Sequence, residues 1–313
     1  MSALDKIVEM YPNRFGNVNL EPYRSDEYQP RVKNAKEYAE QFKERLKQKG
    51  SWGDKTGFSC DDHFRFRPSE ITIWTGYKGH GKSAVLSQVM LNWMLGLKKV
   101  FVCSPEFNPV ELLYRMLVQY MAEDNPNEEE AEVMLEFLSK TLWLYDVQSS
   151  LKPGDVVALC RWVCEHIKPD HIVIDSLMKC GLPPDDYTGQ KRLVDQLQSV
   201  AHQNPVHIHL VAHARKGSSD ETPARLHDIK GASEIADLAE NVVSVWRNKP
   251  KEKGQIKDPE ANPDALFIVE AQRNCGGWVG SVPLFFKRGA MLYYEFGKDY
   301  RSYVSMRRPE MEI

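Results

Sequence analysis

From Glu70 onward, short apolar runs alternate with stretches of helical length. Strand-like runs cover 71–75, 99–104, 142–147, 171–175 and 206–212. Each is a continuous apolar run rather than an alternating one, as expected of strands buried on both faces. Helix-like stretches lie between them, near 83–95, 109–121, 129–140, 155–167 and 188–202. This β-α-β alternation predicts a doubly wound α/β domain with a mainly parallel sheet. After residue 241 the pattern changes. Val242–Trp246, Ala265–Glu270, Ser281–Phe286 and Met291–Glu295 read as strands joined by turns, which predicts an antiparallel extension of the same sheet. Upstream, residues 1 to 30 are polar and turn-rich, with Pro12, Pro22 and Pro30. Between 31 and 49, Tyr38, Phe42 and Leu46 join Ala35 and Ala39 in a narrow apolar stripe at helical spacing, and Gly50 stops it. A stripe this narrow suits a helix that docks on a neighbour. The expected division is an arm and docking helix over 1–60 and an α/β domain over 61–313.

Bulk properties add constraints. A net charge of -3 means that any nucleic-acid surface has to be a local patch. No apolar run reaches membrane-spanning length, and the N-terminus lacks the pattern of a signal peptide, so a cytoplasmic protein is expected. The six cysteines form no C-x-x-C pair; Cys160 and Cys164 sit at helical spacing and read as reduced thiols rather than as metal ligands.

The most specific chemistry is Gly76-Tyr77-Lys78-Gly79-His80-Gly81-Lys82-Ser83, a G-x-x-x-x-G-K-S loop. It follows the strand-like run 71–75 and precedes the helix-like stretch that starts at Ala84. Such a loop wraps a polyphosphate with backbone N–H groups and a helix N-terminus. Lys82 is then expected to reach the β- and γ-phosphates, and Ser83 to bind Mg²⁺.

Hydrolysis of ATP on such a loop needs a metal-side acid, a group that orients water and a cation for the transferred phosphoryl. Asp175 ends the apolar run 172–174, where the metal-side acid belongs. Glu106, in Ser104-Pro105-Glu106-Phe107, is either a water-polarising carboxylate or an acid placed on a helix dipole. His213 ends the run 206–212 and could sense the γ-phosphate, whereas His207 and His209 belong on the strand's other face, hydrogen-bonded. Arg273, at a strand exit, is either a surface charge or an arginine finger. The polar segment 214–233 is long for a connection and reads as a functional loop. Its Arg215, Lys216, Arg225 and Lys230 could contact phosphates, and Asp220, Glu221 and Asp228 offset much of that charge.

These pieces, in this order, resemble the RecA-type ATPase domain of DnaB-family replicative helicases, and especially the Twinkle and phage primase–helicase types. The likeness runs from Phe66 to Phe286. It rests on Gly76 to Ser83, on Ser104 to Phe107, on Ile174-Asp175, on Val211 to Arg215, and on Asp228-Ile229-Lys230-Gly231-Ala232-Ser233 followed by Gln272-Arg273-Asn274. The resemblance implies ATP and Mg²⁺, with Gly76 through Ala84 around the phosphates and Arg247 near the base. It makes Glu106 the catalytic base, His213 a sensor linked to the DNA loops, and Arg273 a finger given to the neighbouring subunit's ATP. Lys230, Gly231 and Ser233, with Arg215 and Lys216, would grip single-stranded DNA inside a homo-hexamer, with travel 5′→3′ in the cytoplasm of a bacterial or phage-infected cell. The helix at 33–48 would be the linker that docks on the next subunit. Two departures stand out. Ala271 occupies a position that is often Lys, leaving Lys287 or Arg288 as replacements. The first 60 residues are shorter than a primase or a helical collar, which implies a separate primase or polymerase partner. The alternative is a RecA-like recombinase or recombination mediator that forms filaments on single-stranded DNA.

Overall fold

The computed structural model describes residues 34–47, 52–105, 108–147, 149–214, 221–224, 233–258 and 260–302. The chain divides into two compact units, 1–49 and 50–313. In the first, a 3₁₀ turn at Ala35–Tyr38 leads into helix α1, Ala39–Lys47. The Asn34 side chain and Glu37 form a reciprocal capping box at its start. Tyr38, Phe42 and Leu46 lie on the expected stripe and are exposed. Gly50, the expected stop, lies outside the described residues.

The second unit is a nine-stranded sheet in the order β3-β2-β4-β5-β1-β6-β7-β8-β9. The strands are β1 Ile71–Thr75, β2 Val100–Cys103, β3 Leu142–Tyr145, β4 His171–Asp175, β5 His207–Val211, β6 Asn241–Arg247, β7 Ala265–Gln272, β8 Gly280–Lys287 and β9 Leu292–Tyr294. The helices are α2 Lys82–Leu95, α3 Pro109–Met121, α4 Glu128–Leu138, α5 Pro153–His166, α6 Tyr187–Gln203, α7 Ser233–Leu238 and α8 Lys249–Glu252. The sequence-predicted strands and helices all form, with ends shifted by a residue or two. One expectation is corrected. β6 is not part of the antiparallel extension: it pairs parallel with β1, from Thr72 opposite Asn241 to Thr75 opposite Ser244. Direction reverses only at β7, which runs antiparallel to β6 and β8. The segment between β5 and β6 carries the short helix α7, so the chain crosses over before it reverses.

Alternate residues of the parallel strands feed two cores. Ile71, Ile73, Ile172, Ile174, Ile208 and Leu210 pack with α5 and α6 on one face. Trp74, Val102, Val173, Val211 and Val243 pack with α2, α3 and α4 on the other, together with Phe58, Phe64 and Phe66. Each large apolar side chain buried this way contributes ~1.5–3 kcal/mol.

The second face also holds three buried histidines, His171, His207 and His209, with Trp93 stacked on His171 at 3.9 Å between centroids. Their hydrogen bonds fix their tautomers. The Trp74 indole N–H donates to His209 Nδ1 at 3.1 Å, so the His209 proton sits on Nε2. That nitrogen faces His171 Nδ1 at 3.1 Å, which leaves the His171 proton on Nε2, 3.2 Å from Asp54 Oδ2. His207 donates from Nδ1 to the Arg67 carbonyl at 2.6 Å and accepts from the Thr72 hydroxyl at 2.8 Å. The far-face placement expected of His207 and His209 is what the fold shows, and all three rings are neutral members of the core.

Candidate active site

The loop from Gly76 to Ser83 joins β1 to α2 at the C-terminal edge of the parallel strands. Its glycines are needed for the backbone path. Gly76 has φ 133, and a Cβ there would overlap the Val245 carbonyl oxygen of the neighbouring strand. Gly81 has φ 83, and a Cβ there would overlap the Tyr293 hydroxyl. Both positions sit in the region that favours glycine, so the loop can press its backbone against β6 and β9.

Side chains of the loop divide between wall and cavity. Tyr77 is buried against Ala214 and Ala224. His80 is fully buried, and the Arg247 backbone N–H donates to its Nδ1 at 3.2 Å. Both rings hold the loop's shape, so Tyr77 and His80 can serve a phosphate through their backbones and not their side chains. Lys82 is buried and donates from Nζ to the carbonyls of Gly76 at 2.7 Å and Tyr77 at 2.9 Å. Its ammonium is therefore held over the loop's own concavity.

Across the cavity, Ser83 Oγ donates to Asp175 Oδ2 at 3.1 Å. Asp175 is the last residue of β4 and is buried. A hydroxyl on a buried carboxylate is the oxygen donor set suited to Mg²⁺. The glycine cradle and this pair fit a magnesium-bound polyphosphate: Ser83 and Asp175 would hold the metal, directly or through water.

The cavity around these groups has a volume of about 440 Å³. His213, just past β5, lines it, as does Arg247 from the end of β6. Arg247 Nε is paired with Glu252 Oε1 of α8, and its Nη1 donates to the Gly79 carbonyl at 3.4 Å. The other wall comes from the antiparallel extension, with Phe286, Arg288 and Tyr293. Arg288, one of two replacements considered for the missing lysine at 271, is in the cavity wall. Burial pushes the Tyr293 phenol up to about 12, so it stays neutral.

Two residues tie that wall to the loop, and neither is visible in any motif. Gln88 of α2 donates to the Tyr293 carbonyl and accepts from the Tyr293 N–H, both at 2.8 Å. Gln119 of α3 donates from Nε2 to the carbonyls of Ala84 and Met291, both at 2.9 Å, and accepts from the Ser87 hydroxyl at 2.8 Å. Arg115, one turn before Gln119, also borders the cavity. Polar residues inside a helix read as solvent-facing in a sequence. Only the packing of α2 between β9 and α3 reveals that these are buried.

Arg273 is elsewhere. It follows β7, and its backbone N–H donates to the Glu240 carbonyl at 2.8 Å. Its guanidinium donates to the Asp237 carbonyl and lies 3.9 Å from Glu240 Oε1, half exposed. Since β7 is antiparallel to β6, its end lies at the N-terminal edge of the parallel strands, the edge opposite the loop. Glu106, Arg215, Lys216, Lys230 and Gly231 lie outside the described residues, and Ser233 is described only as the first backbone position of α7.

Comparisons with known proteins agree with this geometry. Residues 65–219 match the family model described as an AAA domain. Among solved structures, the chain is similar to one whose title describes an ATPase domain, at 15% identity and a TM-score of 0.70, covering 84% of this chain and 99% of that one. It is also similar to "The Structure Of A DnaB-Like Replicative Helicase And Its Interactions With Primase", at 14% identity and a TM-score of 0.66, covering 93% of this chain and 76% of that one. Likeness at these identities establishes the fold alone: the chain shares the α/β architecture of those two structures.

Proposed function

We propose that this chain is the motor domain of a ring helicase that hydrolyses ATP and moves on single-stranded DNA. The carrying observation is the separation of Lys82 and Arg273 on opposite edges of one sheet. An arginine on the far edge cannot reach its own chain's phosphates, so a finger role for Arg273 requires an adjacent copy. A closed ring of such copies lets every far-edge arginine meet a loop, and six is the number the resemblance implies.

In this reading, the loop backbone and Lys82 hold the β- and γ-phosphates, and Ser83 and Asp175 hold Mg²⁺. When bound, Mg²⁺ neutralises charge between the phosphates. Glu106 orients water and accepts its proton, His213 senses the terminal phosphate, and the adjacent copy's Arg273 offsets the charge that develops on the transferred phosphoryl. Arg247, held by Glu252, borders the nucleoside side of the cavity. Lys230, Gly231 and Ser233, with Arg215 and Lys216, face the DNA backbone, and travel is 5′→3′. The stripe of Tyr38, Phe42 and Leu46 docks on the next subunit, and a separate primase or polymerase partner supplies priming.

Particle images with a non-hydrolysed ATP analogue and oligo-dT test the assembly. Closed rings around the strand support the helicase. Helical filaments along it select the recombinase alternative instead.

A further inference from the structure

The far edge of the sheet holds a buried carboxylate that no motif marks. Glu240 stands just before β6 and is almost fully buried. Neighbouring elements fix it on both sides. Its Oε2 accepts from the Ile71 N–H, at the start of β1, at 2.9 Å. Its Oε1 accepts from Gln198 Nε2 of α6 at 2.7 Å, and His202 Nε2 of the same helix lies 3.3 Å away. The Gln198 carboxamide also donates to the carbonyl of Leu238, the last residue of α7, at 2.6 Å. The carboxylate is therefore oriented by β1 and α6, independently of the side chain that it faces.

That side chain is Arg273. Its backbone N–H donates to the Glu240 carbonyl at 2.8 Å. Its guanidinium donates to the Asp237 carbonyl in the last turn of α7, and Nη1 lies 3.9 Å from Glu240 Oε1. Among the described residues, Glu240 is the one carboxylate paired with Arg273, whose side chain is otherwise 54% exposed. A long exposed arginine samples many rotamers, and fixing one costs up to about 2 kcal/mol of side-chain entropy. A charge that has to meet a phosphoryl across an interface gains from being oriented beforehand, since a displacement of about 1 Å can cost roughly 100-fold in rate. A carboxylate held in surroundings of low dielectric exerts a stronger pull than one in water.

Building on the shared-site reading above, we propose that Glu240 is a positioning residue that holds Arg273 in the orientation needed at an adjacent copy's nucleotide. The test is steady-state hydrolysis and subunit mixing with Glu240→Gln. This variant keeps an oxygen for the Ile71 N–H and loses the charge that faces Arg273. The expected kcat is lower by about 10- to 100-fold, with KM for ATP changed by less than about 3-fold, because the finger acts in the transition state. ADP binding at wild-type strength reports a folded chain, since the cavity lies at the other edge. Mixed with Glu106→Gln chains, the variant is expected to regain activity, as about one interface in four is then intact. Mixed with Arg273→Ala chains it is expected to regain none, since both lack a working far edge. Glu240→Asp, which keeps the charge but draws it back by one methylene, carries the same test where Glu240→Gln does not fold. Wild-type kcat, no rescue by Glu106→Gln, or rescue by Arg273→Ala overturns the proposal. Absence of rescue between Glu106→Gln and Arg273→Ala themselves contradicts the shared-site reading instead, which separates the two failures.

Discussion

Lys82 and Arg273 stand at opposite edges of one sheet. β1 ends at Thr75, one residue before the phosphate loop, while Arg273 lies level with Glu240 and Ile71 at the other end. At a rise of about 3.3 Å per residue, roughly 15 Å of strand separates the two levels. The reversal of direction at β7 creates this separation. In the proposed reading, a single chain then carries one half of a site at each edge.

Lys82→Ala removes the ammonium that bridges the Gly76 and Tyr77 carbonyls. ATP hydrolysis is expected to fall by about 100-fold or more, because the charge on the β- and γ-phosphates loses its partner. Steady-state hydrolysis, with a thermal melt as folding control, checks this. Full activity in a folded variant contradicts the site.

Gly76→Ala places a methyl group against the Val245 carbonyl at a φ of 133. The loop has to shift away from β6, at a cost of about 1–3 kcal/mol. The expected result is a lower denaturation midpoint together with weaker nucleotide binding. Unchanged values for both measurements mean that the loop does not need this close approach.

Gln88→Leu breaks both bonds to the Tyr293 backbone inside the core. Each buried group left without its partner costs about 1–3 kcal/mol. Stability is expected to drop, and nucleotide affinity with it, because β9 carries Tyr293 against Gly81. Denaturant titration and ADP binding measure the two effects separately.

The histidine core makes stability depend on pH. Burial lowers His171, holds His207 down to about 3 and lowers His209 well below the ordinary value. The unfolded chain takes up these protons near pH 6.5, while the folded chain does not. The stabilisation from neutral burial is complete above that pH and is lost as pH falls toward the folded values. Each histidine that stays neutral in the fold contributes a slope of about 1.4 kcal/mol per pH unit. Denaturant titrations at pH 7.5 and 5.5 are expected to show a marked loss in the wild type and a smaller one in His207→Gln.

Much of this arrangement is legible in the sequence, for a physical reason. Strands buried on both faces have to be apolar throughout, so 71–75, 171–175 and 207–211 announce themselves. The phosphate loop is legible because only its glycines fit the backbone path it takes. The parallel pairing of β6 is not legible, since strand direction depends on a crossover that passes through a polar segment. Gln88, Gln119 and Arg115 are hidden for a related reason. Their helix faces gain their environment from β9 and from one another, at sequence separations that no local pattern records. The far-edge position of Arg273 likewise follows from the turn at β7 and not from its own neighbours.

The most direct measurement of a shared site is subunit mixing. Glu106→Gln and Arg273→Ala chains are each expected to be inactive in hydrolysis. In a mixed ring, about one interface in four receives an intact Glu106 from one chain and an intact Arg273 from the next. Hydrolysis in the mixture is therefore expected to rise clearly above that of either variant alone. A mixture no more active than its parts contradicts a site completed by a second subunit.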